Sequence, residues 1–361
     1  MIKTSALRPV VAIPARNEEK RLPTLLAALA AQTWQAASGS PLGVVVVLNN
    51  CDDGSRDAVS TVIATEPRLA INLLDLHFEV GDAHVGRARR LAMETALASG
   101  SSPEEVALLT TDADAVPSTD WVEANLRHLC EVDLVGGVIQ GDQTEEAQLG
   151  PGFRRRASLH LQYSQLTDRL AAALDPIAHD PWPRHRDHTG ASLAVRGSVY
   201  AAVGGLPALP FREDLGFVSR VASAGYRLRH PMDVRVTVSA RLVGRAAGGM
   251  ADCLKEWMRE EASGAPLLVE DPRRVLARVT RRRRLRQLDH ASLADRVALA
   301  YDLGLDPAAL SDAGARPLSG DHLAEVLAFE EPDAPATIPV VEAITTLEVI
   351  LTQIEEIARA A

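Results

Sequence analysis

Cysteine is scarce in this chain of 361 residues: there are only three, Cys51, Cys130 and Cys253. They lie far apart in no ligand-like spacing, so neither a disulfide framework nor a cysteine zinc site is indicated, and a reducing cytoplasm is the expected setting. Aromatic residues make up 4%, which leaves the core to Ala, Val and Leu. No apolar run approaches the roughly 18 residues of a membrane span, and the stretch from Met1 to Pro9 lacks the apolar segment of a signal peptide. A lipid partner would have to be met at a surface. Basic charge is outnumbered, 38 Lys and Arg against 48 Asp and Glu, a net charge of −10. That removes the electrostatic case for nucleic acid. Neither an internal repeat nor a low-complexity tract is present beyond the richness in Ala.

What the sequence does have is alternation. Val10–Ile13 reads as a buried strand ending at Pro14, and Leu22, Leu25, Leu26 and Leu29 follow at i, i+3, i+4, i+7, one face of a helix. Val44–Leu48 is a second strand, apolar throughout, as expected where both faces of a parallel sheet are covered. Ile71–Leu74 gives a third strand, His84 to Ala98 a helix closed by Gly100, and Val106–Thr110 a fourth strand. Strands alternating with helices predict a doubly wound, mostly parallel α/β sheet, with the loops at the strands' C-terminal ends gathered on one edge.

The fourth strand runs into Thr111-Asp112-Ala113-Asp114. Two carboxylates at i, i+2 in an extended segment point to one side. Such a pair suits Mg²⁺ or Mn²⁺, which takes one or two protein carboxylates and completes its shell with phosphate and water. A plain surface turn is the competing reading.

Further along, a helix is predicted between Gly150 and Pro176, then a Pro-broken loop over residues 179–188, a strand at Leu193–Val195, a turn at Gly204–Pro207 and a helix from Asp214 to Ala224 stopped by Gly225. Val234–Val238 alternates like a half-buried edge strand. Beyond about residue 250 the sequence becomes helical and charge-patterned without strand signals. Arg273, Arg274, Arg278 and Arg281–Arg284 form a basic face there, and Asp321, Glu325, Glu330, Glu331 and Asp333 an acidic stretch. The two could pair or be solvated. Length implies roughly two to three domains, placed at 1–145, 146–250 and 251–361.

Taken together, Pro14–Glu19, Asn49–Ser55, Gly86–Arg90, Thr111–Asp114, Gly190–Arg196, Gly204–Pro207 and Glu213-Asp214 resemble, in order, the family 2 glycosyltransferases of the GT-A fold. The resemblance covers about residues 8 to 250. It implies transfer of a sugar from a nucleotide-diphosphate donor to an acceptor hydroxyl, with Mn²⁺ or Mg²⁺ on the diphosphate, and it divides 1–145 and 146–250 into donor and acceptor halves. By the same resemblance, Pro14, Ala15, Glu18, Asn50 and Asp52 hold the base and ribose, and Arg87, Arg89 and Arg90 lie near the diphosphate. Asp114 ligates the metal with Asp112 as its partner, and Asp214 of Glu213-Asp214 is the general base of an inverting reaction.

One departure matters. Processive members carry a Gln/Arg-x-x-Arg-Trp motif, whereas Arg241 to Gly249 keeps Arg241 and Arg245 and lacks the tryptophan, which argues against a polymerase. The two arginines are expected to close over the diphosphate, guanidinium being suited to bidentate oxygen contacts. His188 or His230 could complete the metal shell. The acceptor is expected to be a small molecule or an envelope precursor. A polyprenyl phosphate met at a membrane surface is the alternative, the basic face supplying the attraction, and a non-catalytic nucleotide-sugar-binding protein is another. A homodimer through the helical C-terminal region is the expected assembly.

Overall fold

The computed structural model describes residues 7–244, 249–312, 316–327 and 337–360. Clustered by proximity, the chain falls into two compact units. The first holds residues up to Arg154, His185–Val221 and Tyr226–Arg259, and the second holds Arg155–Arg184, Ala222–Gly225 and everything from Glu260 onward.

The first unit begins as a run of β-α repeats. Strand β1 (Arg8–Ala15) is followed by helices α1 (Leu22–Ala30) and α2 (Thr33–Ser38), β2 (Leu42–Asn49) by α3 (Ser55–Thr65), and β3 (Leu69–Leu76) by α4 (Val85–Ala98). Strand β4 (Val106–Thr110) then leads through the short β5 (Ala115–Pro117) to α5 (Trp121–Leu129), β6 (Leu134–Gly136), β7 (Val138–Gly141) and α6 (Gln143–Gln148). After α7 (Pro151–Leu174) come β8 (Leu193–Arg196), α8 (Gly197–Ala202), α9 (Glu213–Ser223), β9 (Leu228–Arg229), β10 (Arg235–Val238) and α10 (Met250–Ser263). The main sheet has the order β3-β2-β1-β4-β8-β6-β9. Its first four strands are parallel, and β8 alone runs antiparallel, to both β4 and β6.

Both faces of this sheet are covered, which explains the unbroken apolar strands. Val11 and Ile13 of β1 face Leu22, Leu25, Leu26 and Leu29 of α1 and Trp121 of α5. Val10 and Ala12 face Ala88, Ala92, Met93 and Ala96 of α4 and Phe217 of α9. Each fully buried Leu or Val contributes roughly 1.5–3 kcal/mol of transfer free energy.

Three details differ from the sequence reading. Strand β1 does not stop at Pro14 but pairs on to Ala15, because Pro14 sits at a register position opposite Val47 in a parallel ladder that tolerates it. Val234–Val238 is not an edge: β10 is the middle strand of a second sheet, β5-β10-β7, antiparallel to β5 and parallel to β7. The C-terminal region does contain strands, β11 (Leu268–Glu270) and β12 (Thr337–Pro339), too short for a periodic signal but paired antiparallel.

In the second unit, α11 (Pro272–Arg286), α12 (Leu293–Asp302), α13 (Gly320–Leu327) and α14 (Val340–Ala360) follow β11. A small core of Leu285, Leu288, Ala300, Leu310, Leu323 and Ala324 joins three of these helices. Buried Arg296 donates to the carbonyls of Leu288, Leu310 and Leu318 at 2.8–3.2 Å and so closes the intervening loops. Within the basic face Arg278 pairs with Glu270, Arg282 with Glu325 and Arg284 with Asp302, while Arg281 donates to the Leu327 carbonyl; Arg286, just beyond it, pairs with Asp175 and Asp321. Glu330, Glu331 and Asp333 lie outside the described residues. Among the described residues no helix is long and apolar enough to cross a membrane.

Candidate active site

The parallel strands deliver their loops to one edge, and the first two loops are stitched together there. Asn17 and Asn50 adopt left-handed backbone conformations, φ 55° and 51°, which Asn tolerates better than most residues. The Asn17 amide donates to Asp52 Oδ1 at 2.5 Å and accepts from the Asp52 N–H at 2.9 Å. The Glu18 N–H donates to Ser55 Oγ at 2.8 Å, and the Gly54 N–H to Glu19 Oε2 at 2.9 Å. Cys51 lies beneath this seam, accepting from the Asn17 N–H at 3.2 Å. Burial pushes its thiol up, so it stays neutral and inert.

Carboxylates from three parts of the chain meet at this edge. Strand β4 ends at Thr110 and is followed by Thr111, both buried; their hydroxyls donate to the Ala12 and Ala191 carbonyls at 2.9 and 2.8 Å. That anchors the Asp112-Ala113-Asp114 turn. Asp114 Oδ2 lies 2.9 Å from Arg241, and the same guanidinium closes on Glu18, with Nη1 donating to Glu18 Oε2 at 2.7 Å and Nη2 to Oε1. Arg241 thereby links the first loop to the Asp-x-Asp turn. Its own segment is fixed by Glu145, which accepts from Ser239 Oγ and the Ala240 N–H at 2.8 Å and from Arg21 at 2.6 Å. Asp114 is pushed up to about 6, by burial first and then by Asp112, with Arg241 opposing and Glu18 adding.

On the other side of the turn lies Arg89, 2% exposed. Nη2 donates to Asp112 Oδ1 at 2.6 Å, Nε to Glu213 Oε1 at 3.0 Å, and Nη1 to Thr110 Oγ1 and the Gly190 carbonyl at 2.9 Å. Burial opposes its charge, but Asp112, Glu213 and Asp214 outweigh that and hold its proton more firmly than usual. Asp214, half-buried at the start of α9, accepts from the Gly190 N–H and the Leu215 N–H, both at 2.7 Å.

Several residues singled out by sequence stand elsewhere. Glu213 is buried and consumed by Arg89, so it holds its neighbours and is not placed to take a substrate proton. The Asn50 amide clasps the Phe78 backbone, donating to its carbonyl and accepting from its N–H at 3.0 and 2.9 Å, and therefore shapes the loop without offering an amide to a ligand. Arg90 pairs with Glu94 at 2.7 Å along α4. Pro14 and Ala15 are buried in β1 and present backbone only. Arg87 is half-buried and its Nε has no hydrogen-bond partner, which keeps it as the helix-opening candidate for an anion. Asp52 is exposed at the seam. Arg245 lies outside the described residues. His188 and His230 meet each other, Nδ1 to Nε2 at 3.2 Å; among the described residues no group of three or more His, Cys, Asp or Glu is arranged to hold a metal ion.

Arg89, grouped by the sequence with Arg87 and Arg90 near the diphosphate, is instead buried among carboxylates. The signal was there: positions 85, 89, 92, 93 and 96 share one helical face, and Ala92, Met93 and Ala96 on it are buried. An arginine on an apolar face must find carboxylates or carbonyls.

The mostly parallel sheet and the carboxylates gathered at its edge fit a glycosyltransferase of the GT-A class. Residues 10–183 match the model of Glycosyl transferase family 2. No curated protein matches it. Among solved structures, TarS from S. aureus (residues 1-349, in complex with UDP) is 16% identical with a TM-score of 0.47, over 81% of this chain and 75% of that one. The mannosyltransferase PcManGT from Pyrobaculum calidifontis, in complex with GDP-Man and Mn2+, is 20% identical with a TM-score of 0.46, over 81% and 80%.

Proposed function

We propose that this glycosyltransferase moves one sugar at a time from a nucleotide-diphosphate donor to an acceptor hydroxyl, with inversion at the anomeric carbon. The observation that carries the reading is the Arg241 guanidinium held between Glu18 of the first loop and Asp114 of the Asp-x-Asp turn. Donor-binding loops distant in sequence converge there on one cationic group.

The donor set fits a hard divalent cation. Asp112 and Asp114 offer carboxylate oxygens, and burial first, then the neighbouring Asp112 and Glu18, push Asp114 up to about 6 despite Arg241. Two protein carboxylates with the rest from phosphate and water is the ordinary complement for Mg²⁺ or Mn²⁺. When bound, such an ion offsets charge on the departing diphosphate. Arg87, at the N-terminus of α4, adds positive charge where the helix dipole already favours an anion, and Asp52 and Glu18 line the nucleoside side.

Asp214 acts as general base. It accepts the acceptor's hydroxyl proton as that oxygen bonds to the anomeric carbon, and the bond from that carbon to the diphosphate oxygen breaks with its electron pair leaving on the nucleoside diphosphate. The two N–H donors from Gly190 and Leu215 keep the carboxylate aimed while leaving lone pairs for the proton. Pairing of Arg278, Arg282 and Arg284 with carboxylates in the second unit reduces the charge the basic face could offer an anionic membrane and favours a small or soluble acceptor over a polyprenyl phosphate.

The test is thermal melting against a panel of nucleoside-diphosphate sugars with and without Mn²⁺, on the native chain and on Asp114→Ala. Ligand at about 100 times its Kd adds roughly 2.7 kcal/mol. A shift with one nucleotide class that needs metal and disappears in Asp114→Ala is expected; no shift with any donor would replace the transferase reading with a non-catalytic one.

A further inference from the structure

The backbone of Gly190 is gripped on both sides, through the two peptide groups that flank its Cα. Its carbonyl accepts from Arg89 and its N–H donates to Asp214. Nothing else fits beside it: a Cβ on Gly190 would stand 2.4 Å from Arg89 Cζ and 2.5 Å from its Nη2. Arg89 in turn is fixed by Asp112, Thr110 and Glu213, so its guanidinium cannot turn away without leaving the buried Glu213 carboxylate unpaired. We infer that Arg89 is a positioning residue for the transfer step: through the Gly190 backbone it sets the orientation of Asp214 relative to the Asp112–Asp114 turn.

The inference deepens the reading above and rests on it for the role of Asp214. It goes beyond that reading by assigning the orientation of the base to an arginine that touches neither the acceptor nor the base itself. Were Arg89 only a buried counter-ion, its loss would loosen the whole sheet edge alike. As a positioning residue its loss acts first on the Gly190 backbone.

Three variants test it: Arg89→Lys, Arg89→Met, and the double variant Arg89→Met with Glu213→Gln, which removes the uncompensated buried carboxylate and keeps the fold accessible. The first readout needs no activity. Amide hydrogen exchange at Gly190 is expected to quicken at least tenfold in the double variant while Leu108 and Leu109 of β4 keep their protection. Unchanged exchange at Gly190, or equal loss across β4, overturns the inference.

The second readout uses whichever nucleoside-diphosphate sugar shifts the melting temperature, following nucleoside diphosphate release. The double variant is expected to lose 10- to 100-fold in kcat with donor KM within about threefold, and Arg89→Lys to recover part of the loss. A defect carried by KM alone would make Arg89 a donor-binding group through Asp112 and overturn the inference. A wild-type chain that binds no donor would sink the transferase reading, while the exchange result at Gly190 would still decide whether Arg89 sets that backbone.

Discussion

Arg241 and Asp114 lie 2.9 Å apart, yet the carboxyl is pushed up to about 6 from an ordinary 3.8, because burial, Asp112 and Glu18 together outweigh the guanidinium. Between those two values the folded chain binds more protons at this site than the unfolded one. Its contribution to stability therefore falls as pH rises from about 4 to about 6 and is level above that. At pH 7 the charged Asp114 destabilises the fold by on the order of 3 kcal/mol. Asp114→Asn is thus expected to melt higher than wild type at pH 7.5 without metal, with the difference vanishing toward pH 4, and to show no Mn²⁺-dependent shift. A variant that melts lower at pH 7.5 would contradict the electrostatic account.

Removing the other partner has the opposite sign. Glu18 is 5% exposed and faces the Arg241 guanidinium bidentately. Arg241→Met takes this cation away from Glu18, and breaking a buried pair in this way costs about 3–5 kcal/mol. The double variant with Glu18→Gln should recover more than half of the loss, measurable as a coupling energy in a urea-unfolding cycle. Additive losses would mean that the pair does not act as a unit.

The sheet was legible in the sequence because its signal is local: Val44–Leu48 can only be a strand covered on both faces, and Leu22, Leu25, Leu26 and Leu29 only one side of a helix. Asp112 and Asp114 were legible for the same reason, a carboxylate pair at the end of an apolar strand. Partnerships across long separations were not. Nothing near Glu18 announces Arg241, 223 residues away, and nothing at Gly190 announces Arg89. Asn50 reads as a ligand amide until the β3 end is seen folding back so that Phe78 meets it. β11 and β12 escaped notice because three residues each carry no period.

Glu145 anchors the segment that carries Arg241. Burial pushes its carboxyl up, but Arg21, Ser239 and the Ala240 N–H outweigh this and hold it below the ordinary 4.5. A depressed folded value gives stability that is present above the unfolded value and lost as pH falls through the folded one. Glu145→Gln is expected to lower stability by about 1–3 kcal/mol at pH 7, to lose part of the acid-induced melting decrease below pH 4.5, and to weaken donor binding by freeing Arg241. Equal acid sensitivity in variant and wild type would remove Glu145 from this role.

Gly86 opens α4 against the loop that leads into Glu213 and Asp214. A Cβ there would stand 2.0 Å from the Leu209 carbonyl oxygen and 2.9 Å from its nitrogen, and backbone atoms cannot swing aside as a side-chain tip can. Two effects compete in Gly86→Ala. Alanine is the better helix former by about 1 kcal/mol, whereas overpacking against fixed backbone costs typically 1–3 kcal/mol or more. At 2.0 Å the second wins, so a net loss of about 1–2 kcal/mol is expected in urea unfolding. The relief available to the chain is a shift of residues 207–212, and Arg212, already at φ 55°, has little room to absorb it without moving the start of α9. Asp214 sits there, so turnover should fall by more than the stability loss predicts at a temperature where the variant is fully folded. A variant as stable and as active as wild type would show that the loop yields freely and that Gly86 is only a helix opener.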